Sequence, residues 1–204
     1  MAKTNLKVAL TGGIASGKSQ VSALLEGYGC FIVDLDIIAR EVVEPGTAGL
    51  NELIENFGKA ILSNDGTLNR KYLRDELFKK GRNRSLIEQV LHPKILQKMK
   101  DAMDACTKGI VIVVVPLLVE KNLWHPFDRA IVVDCEVENQ IKRLMNREHI
   151  EQSKAEAMLL AQASREQRLQ LHDHLPTDII GNNEKIVDLE EKVANLYQKL
   201  SSLL

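Results

Sequence analysis

The sequence predicts an α/β protein in which a five-stranded parallel sheet lies between two helical layers, and three observations carry this. Short, continuous apolar runs recur along the chain, helical stretches separate them, and the first run leads into a glycine-rich loop that opens a helix. Apolar runs that do not alternate with polar residues mark strands covered on both faces, the condition of a parallel sheet between helices.

The first strand is Leu6–Thr11. Gly12-Gly13-Ile14-Ala15-Ser16-Gly17-Lys18-Ser19 follows it and leads into a helical stretch from Gln20 to Tyr28. The pattern G-x-x-x-x-G-K-S between a strand and a helix reads as a phosphate-binding P-loop. Its glycines let successive amides turn inward, and the helix N-terminus adds a favourable dipole. Lys18 then reaches the β- and γ-phosphates, and the Ser19 hydroxyl serves Mg²⁺. The alternative is a glycine-rich turn that binds nothing. Gly27 and Gly29 end the helix, and Cys30–Asp34 reads as the second buried strand.

About 75 residues without a strand separate this from the third strand, Ile110–Val115. A βαβ crossover needs about one helix, so the stretch is an insertion, suited to binding an acceptor. It reads as helices over Asp36–Val43, ended by Glu44-Pro45-Gly46, and over Ala48–Phe57, ended by Gly58. A turn at Asn64-Asp65-Gly66 precedes a charged helix over Arg70–Lys80. A long helix over Arg84–Cys106 should kink or split after Leu91, because Pro93 removes an amide and crowds the preceding turn.

Arg129–Asp134 and Thr177–Ile180 complete the five strands. Between them Glu138–Arg147 is helical, and Ser153-Lys154-Ala155-Glu156 has the form of a capping box opening a helix that reaches Leu171. The final helix, Glu184–Leu204, carries Ile186, Leu189, Val193, Leu196, Leu200 and Leu203 at helical spacing. Under three heptads is short for a coiled coil, so packing on the sheet is the expectation. The expected layout is one domain with a core of residues 1–35, 107–138 and 172–204, a helical insertion at 36–106 and a helical lid at 139–171.

Phosphoryl transfer to a hydroxyl needs a group that takes the proton and orients the oxygen. Asp34, at the end of a strand expected beside the P-loop strand, faces the crevice where ligands of open α/β sheets bind. It is the candidate base. Asp36 either caps the following helix or contacts Mg²⁺ through water. Arg143 and Arg147 share one helix face and, with Lys142, Lys154, Arg165 and Arg168, make this part of the chain locally basic. They are either lid arginines for the transferring phosphoryl group or a solvated face paired with Glu148, Glu151 and Glu166. His92 begins the second half of the long insertion helix, and Pro116-Leu117-Leu118-Val119-Glu120 follows the third strand on the ligand side. His172 and His174 have no third ligand nearby and read as ordinary surface residues.

A net charge of −1 argues against a broad nucleic-acid surface. Three scattered cysteines, Cys30, Cys106 and Cys135, form no disulfide or metal framework and suit a reducing cytosol. The polar start Met1–Asn5 shows no signal peptide, and the apolar run Ile110–Val119, broken by Pro116, is too short to span a bilayer. A cytoplasmic protein is expected, acting as a monomer, with weak self-association left open.

In order, these segments resemble one family. Leu10–Ser19 is followed by Val33-Asp34-Leu35-Asp36-Ile37-Ile38-Ala39-Arg40, Val43-Glu44-Pro45-Gly46, Phe57-Gly58 and Asp65-Gly66-Thr67-Leu68-Asn69-Arg70. Then come Leu91-His92-Pro93, Pro116–Glu120, and Gln140 with Arg143 and Arg147. The chain resembles dephospho-CoA kinases from about residue 6 to 183. Apart from the P-loop each block is weak alone; their order and spacing are specific. The resemblance implies a P-loop nucleoside-kinase-like core with an inserted acceptor domain and a lid. It implies transfer from ATP, with Mg²⁺, to the ribose 3′-hydroxyl of dephospho-CoA, giving CoA and ADP in the last step of coenzyme A synthesis. Asp34 matches the family's base, acting with Lys18 and Arg147. Gly13, Ile14, Ala15, Ser16, Gly17, Lys18, Ser19, Gln20, Arg143 and Asn182 are the implied ATP contacts, with Ser19 on the metal. Asp34, Asp36, Arg40, His92, Pro116 and Leu117 are the implied acceptor contacts.

Three departures stand out. Ala15 replaces a glycine common in the loop, which matters where the backbone needs φ > 0. Val114 stands where many members carry an acid. His172-Asp173-His174-Leu175 adds length before Thr177–Asn182, the imperfect match to the segment near the adenine. A nucleoside monophosphate kinase needs similar arginines but not these blocks, and a GTP-hydrolysing switch needs an Asn-Lys-x-Asp that is absent.

Overall fold

The computed structural model describes residues 5–78 and 82–204. The polar start Met1–Thr4 and the last part of the expected Arg70–Lys80 helix lie outside the described residues. Strands β1 (Asn5–Gly12), β2 (Phe31–Asp34), β3 (Gly109–Val114), β4 (Arg129–Asp134) and β5 (Thr177–Gly181) form one sheet in the order β2-β3-β1-β4-β5. β1 runs parallel to β3 and β4, with Leu10 beside Val114 and Gly12 beside Val133, and β4 runs parallel to β5. The strands are the five expected, but β2 does not neighbour β1. β3 lies between them, because the chain returns from its insertion into the place next to β1. The central strand β1 therefore has the second and third strands on one side and the last two on the other. Ligands of such sheets bind at this reversal, beyond the strand ends.

Helix α1 (Lys18–Gly27) buries Val21 and Leu25, and α9 (Ile186–Ser201) buries Leu189, Val193, Leu196 and Leu200. Both stripes join Val8, Leu10, Ile112, Val114, Ile131 and Val133 in one core. The seam of α9 is thus used on the sheet, while Ile186 and Leu203 at its ends are half exposed. Removing the side chain of a fully buried leucine such as Leu10 costs about 3 kcal/mol. The cysteines are free, and burial pushes the Cys30 thiol up to about 11, which keeps it protonated and inert.

Two compact units divide the chain: residues up to Val33 with Ala105–Leu204, and Asp34–Asp104. The second contains α2 (Leu35–Glu41), α3 (Ala48–Phe57), α4 (Arg70–Phe78) and most of α5 (Arg82–Ala105). Thr47 caps α3 by accepting from the Leu50 amide, and Gly58 follows its last residue. Pro93 was expected to kink or split the long helix; α5 is not split but passes through it as one helix. The amide that Pro93 lacks would have served the Gln89 carbonyl, and the next residue, Lys94, turns its Nζ to the Val90 carbonyl at 3.1 Å.

The segment expected as the lid differs from expectation in one respect. After α6 (Val137–Glu148), α7 (Gln152–Leu160) starts without a side-chain cap, so Ser153-x-x-Glu156 is not a capping box. The chain turns at Ala161–Ala163, and the box is formed by Ser164 and Gln167 at the head of α8 (Arg165–Leu169). The single helix reaching Leu171 is therefore two. Tertiary contacts of the turn, described below, win over local helix preference.

At the start of β5, Asp178 is buried between Arg129, which donates Nε and Nη2 to it, and Lys199, whose Nζ lies 2.5 Å away. Burial alone would raise the Asp178 carboxyl, but these two cations hold it below its ordinary 3.8. A group whose folded pKa is lowered contributes stability above the unfolded value and loses it as pH falls through the folded one. Asp178→Asn should cost about 2 kcal/mol at pH 7, less than a fully buried pair because Lys199 is half exposed. Urea unfolding at pH 7 and at about pH 3 checks this. The difference between variant and parent should shrink at the lower pH.

Candidate active site

The loop leaving β1 has the backbone its sequence demands. Gly12 (φ 156°), Ala15 (φ 57°) and Gly17 (φ 103°) all have positive φ, and the alternation of such residues with ordinary ones curls amides toward one centre. Gly17 occupies the N-cap of α1 and offers no side-chain cap, so no capping side chain occupies the first amides of that helix. Those amides and the dipole behind them suit an anion. Lys18 Nζ donates to the carbonyls of Gly12 (2.9 Å) and Gly13 (3.0 Å), which holds its ammonium over the loop. The Ser16 hydroxyl is buried with no hydrogen-bond partner among the described residues. A self-contained turn satisfies its own polar groups; this loop does not. Ser19 and Gln20, in the first turn of α1, are exposed.

Three other elements hold the loop. From the end of β5, the buried Asn182 donates Nδ2 to the Ser16 carbonyl at 2.8 Å and lies 3.4 Å from Gln20 Oε1. A Cβ on Gly17 would overlap that amide, so only glycine fits there. From α6, Arg143 donates to the Asn182 carbonyl at 2.9 Å and lies 3.5 Å from the Ser16 carbonyl. Gln140, also on α6, donates Nε2 to the Ile14 carbonyl at 2.6 Å. From the turn after α7, Gln162 Oε1 accepts from the Ile14 amide at 2.7 Å. A Cβ on Gly13 would overlap Gln140 Nε2 and come within 2.9 Å of an Arg168 nitrogen.

Asp134, the last residue of β4, is gripped by Arg165 through two bonds of 2.7 and 2.6 Å. That bidentate bond holds the Asp134 carboxyl below the usual range and raises the Arg165 guanidinium above its own. Burial lowers Arg168, while Glu120, Asp134 and Glu166 oppose that shift. Arg168 and Glu120 also secure the turn at Ala163: Arg168 donates to the Ala163 carbonyl, and Glu120 accepts from the Ala163 amide at 2.8 Å.

The structure thus gathers Gly13–Gln20, Arg143 and Asn182 in one place. Arg147 it does not place there: the side chain is exposed and bonds Glu148 at 2.8 Å. Pro116 and Leu117 follow β3, the latter exposed. Val114, the last residue of β3, is buried in the sheet core. In the other unit Asp34, the last residue of β2, is also the N-cap of α2, its Oδ1 accepting the Asp36 amide at 2.8 Å. The capping role considered for Asp36 falls to Asp34, and Asp36 lies in the first turn. Arg40 in the last turn of α2 and His92 in α5 are exposed. Gln162, Arg165 and Arg168 were not singled out from the sequence. The two arginines stood in the basic segment, whereas nothing local distinguishes Gln162. Among the described residues no cluster of His, Cys, Asp and Glu could hold a metal, and no helix is long and apolar enough to cross a membrane.

Comparison with known proteins gives concordant results. The family model described as dephospho-CoA kinase matches residues 6–188. A dephospho-CoA kinase of Vibrio parahaemolyticus is 44% identical over 195 residues, 95% of this chain and 94% of its own. A crystal structure from Thermus thermophilus superposes with a TM-score of 0.81 at 26% identity, covering 97% of this chain and 99% of its own. The dephospho-CoA kinase of Campylobacter jejuni has the same fold, with a TM-score of 0.69 at 23% identity, over 97% of this chain and 98% of its own.

Ala15 carries a side chain where the loop needs a left-handed residue, a conformation that costs an alanine about 1 kcal/mol. Ala15→Gly relieves that but frees the unfolded chain, so stability should rise by no more than about 0.5 kcal/mol. Ala15→Val puts a branched side chain at the same φ and should lose about 2 kcal/mol. Thermal unfolding of the two variants checks the order glycine, alanine, valine.

Proposed function

Because this chain belongs to the dephospho-CoA kinase family, we propose that Asp34 takes the proton from the ribose 3′-hydroxyl of dephospho-CoA as that oxygen attacks the γ-phosphorus of ATP. The enzyme transfers a phosphoryl group from ATP to dephospho-CoA, giving CoA and ADP, the final step of coenzyme A synthesis. The observation that carries the reading is the loop itself, with its inward backbone, uncapped helix start and Lys18.

Each residue's part follows from its local setting. One oxygen of Asp34 is tied to the Asp36 amide, which orients the carboxylate and leaves the second oxygen to face the acceptor. Lys18 exchanges its loop carbonyls for β- and γ-phosphate oxygens. The amides of Gly13 and of Ala15 to Ser19 bind the phosphate chain, while the Ile14 amide is taken by Gln162, and Gln20, Arg143 and Asn182 complete the nucleotide side. Arg143 and Asn182 do so by fixing the Ser16 carbonyl. Arg147 is tied by an exposed pair of adjacent residues worth under about 1 kcal/mol, so little opposes its turning to the transferring phosphoryl group. Asp36, Arg40, His92, Pro116 and Leu117 contact dephospho-CoA.

The Ser19 hydroxyl is a hard oxygen at the head of α1 and fits Mg²⁺. This ion typically takes one or two protein ligands and completes its shell with phosphates and water. Held there, the ion would supply positive charge against that of the phosphates. The segment 139–171 acts as the lid and 36–106 as the acceptor-binding insertion of a single kinase domain. The enzyme works as a monomer in the cytoplasm, on small molecules and not on nucleic acid.

Incubation with Mg-ATP and dephospho-CoA, and separately with CMP, UMP and adenosine, followed by mass analysis, tests the reading. Dephospho-CoA should gain one phosphoryl group and the other acceptors none. A gain on another acceptor in its place would refute it. Asp34→Asn should lower kcat about 10³-fold while ATP binding persists, and Lys18→Ala should abolish transfer.

A further inference from the structure

We propose that Gln140 and Gln162 are positioning residues of the phosphate-binding loop, holding the peptide planes on both sides of Ile14 so that the amide of Ala15 faces the nucleotide. The proposal rests on Gly12–Ser19 being the ATP site and assigns that site a mechanism of alignment.

Gln140 donates to the Ile14 carbonyl and thereby fixes the plane between Ile14 and Ala15. Gln162 accepts from the Ile14 amide and fixes the plane between Gly13 and Ile14. A trans peptide carries its C=O and N–H on opposite edges, so drawing the Ile14 carbonyl toward α6 turns the Ala15 amide the other way, into the loop. The residue after the clamp, Ala15, is the one non-glycine position of the loop with positive φ. Left alone, an alanine prefers negative φ and would swing this plane out of line. The clamp opposes that preference.

The surroundings are arranged to keep both glutamines in place. Gln140 is buried, and Gly13 is bare of the side chain that would push its amide away. α7 ends at Leu160, which releases Gln162 from a helix face and lets it reach Ile14. The next residue, Ala163, is held at its amide by Glu120 and at its carbonyl by Arg168. Neither glutamine carries charge, so the effect works through orientation and not through attraction for phosphate. Because α6 and the turn after α7 belong to the segment assigned as the lid, the loop is shaped by that segment before any nucleotide is held.

A double-mutant cycle on nucleotide binding tests this without the acceptor. Dissociation constants for ADP are measured by titration calorimetry on the full chain as wild type, Q162A, A15G and Q162A/A15G. Q162A should weaken binding about tenfold, the worth of one hydrogen bond, with the unfolding temperature little changed. Glycine has no bias toward negative φ, so in the A15G background the same truncation should weaken binding by less than about threefold. Unchanged binding in Q162A, or equal weakening in both backgrounds, overturns the proposal. Q162N, whose amide stops short of Ile14, replaces Q162A should the alanine variant not fold. Wild-type protein that binds no ADP would defeat the reading of the loop itself, a separate result.

Discussion

A loop that turns its amides toward an anion must turn its carbonyls away, since each trans peptide carries the two on opposite edges. The outward carbonyls still need donors, because buried backbone groups left unpaired are costly. Here α1, α6 and the residue after β5 supply them. Lys18 on α1 reaches the carbonyls of Gly12 and Gly13, Gln140 on α6 reaches that of Ile14, and Asn182 after β5 reaches that of Ser16. The order of the sheet makes this possible, for β1 is central and β4, which leads into α6, is its direct neighbour. β5, which ends beside Asn182, is the next strand out. A protein that needed only a sheet and two helical layers would not require donors at these places.

Close support has a steric consequence, and it explains the glycines better than flexibility does. Gly13 and Gly17 are the residues whose Cβ would strike the amides of Gln140 and Asn182. The side chains that hold the loop thus stand where its own side chains would be. Ala15 faces no such neighbour, so its methyl fits in space and is opposed only by its backbone angle. Replacing glycine by alanine there trades a modest conformational cost for a stiffer unfolded chain.

The sheet was legible because its signal is local. Continuous apolar runs ending at Gly, Pro or Asp placed all five strands to within a residue or two, and the helical spacing of Leu189, Val193, Leu196 and Leu200 foretold the face α9 buries. The loop was legible for the same reason, being a contiguous pattern. What the sequence concealed depends on distant partners. Ser153 and Ser164 both stand three residues before a Glu or Gln, and the one that heads a helix is Ser164, which follows the turn that Glu120 holds at the Ala163 amide. Pro93 looked like a break, yet α5 runs through it, because a long helix held by its other turns can absorb the one amide a proline removes. Strand order is equally non-local, which is why β2 was expected beside β1. Gln162 had no local mark at all; its role exists only because the chain turns just before it.

One charge near the loop needs an explanation that the reaction alone does not offer. Asp134 ends β4 one residue beyond Val133, which stands beside Gly12. A bare carboxylate so close to a polyphosphate site would repel the ligand the loop is shaped to hold, and strongly so where water is partly excluded. Arg165 removes the problem by taking both carboxylate oxygens, a geometry that satisfies the acid while keeping the pair neutral. The carboxylate in turn fixes the first residue of α8, the helix that carries Arg168 to the side of Gly13. Asp134 therefore serves as an anchor for α8 at the strand edge, and its charge is spent on Arg165 before a phosphate can feel it.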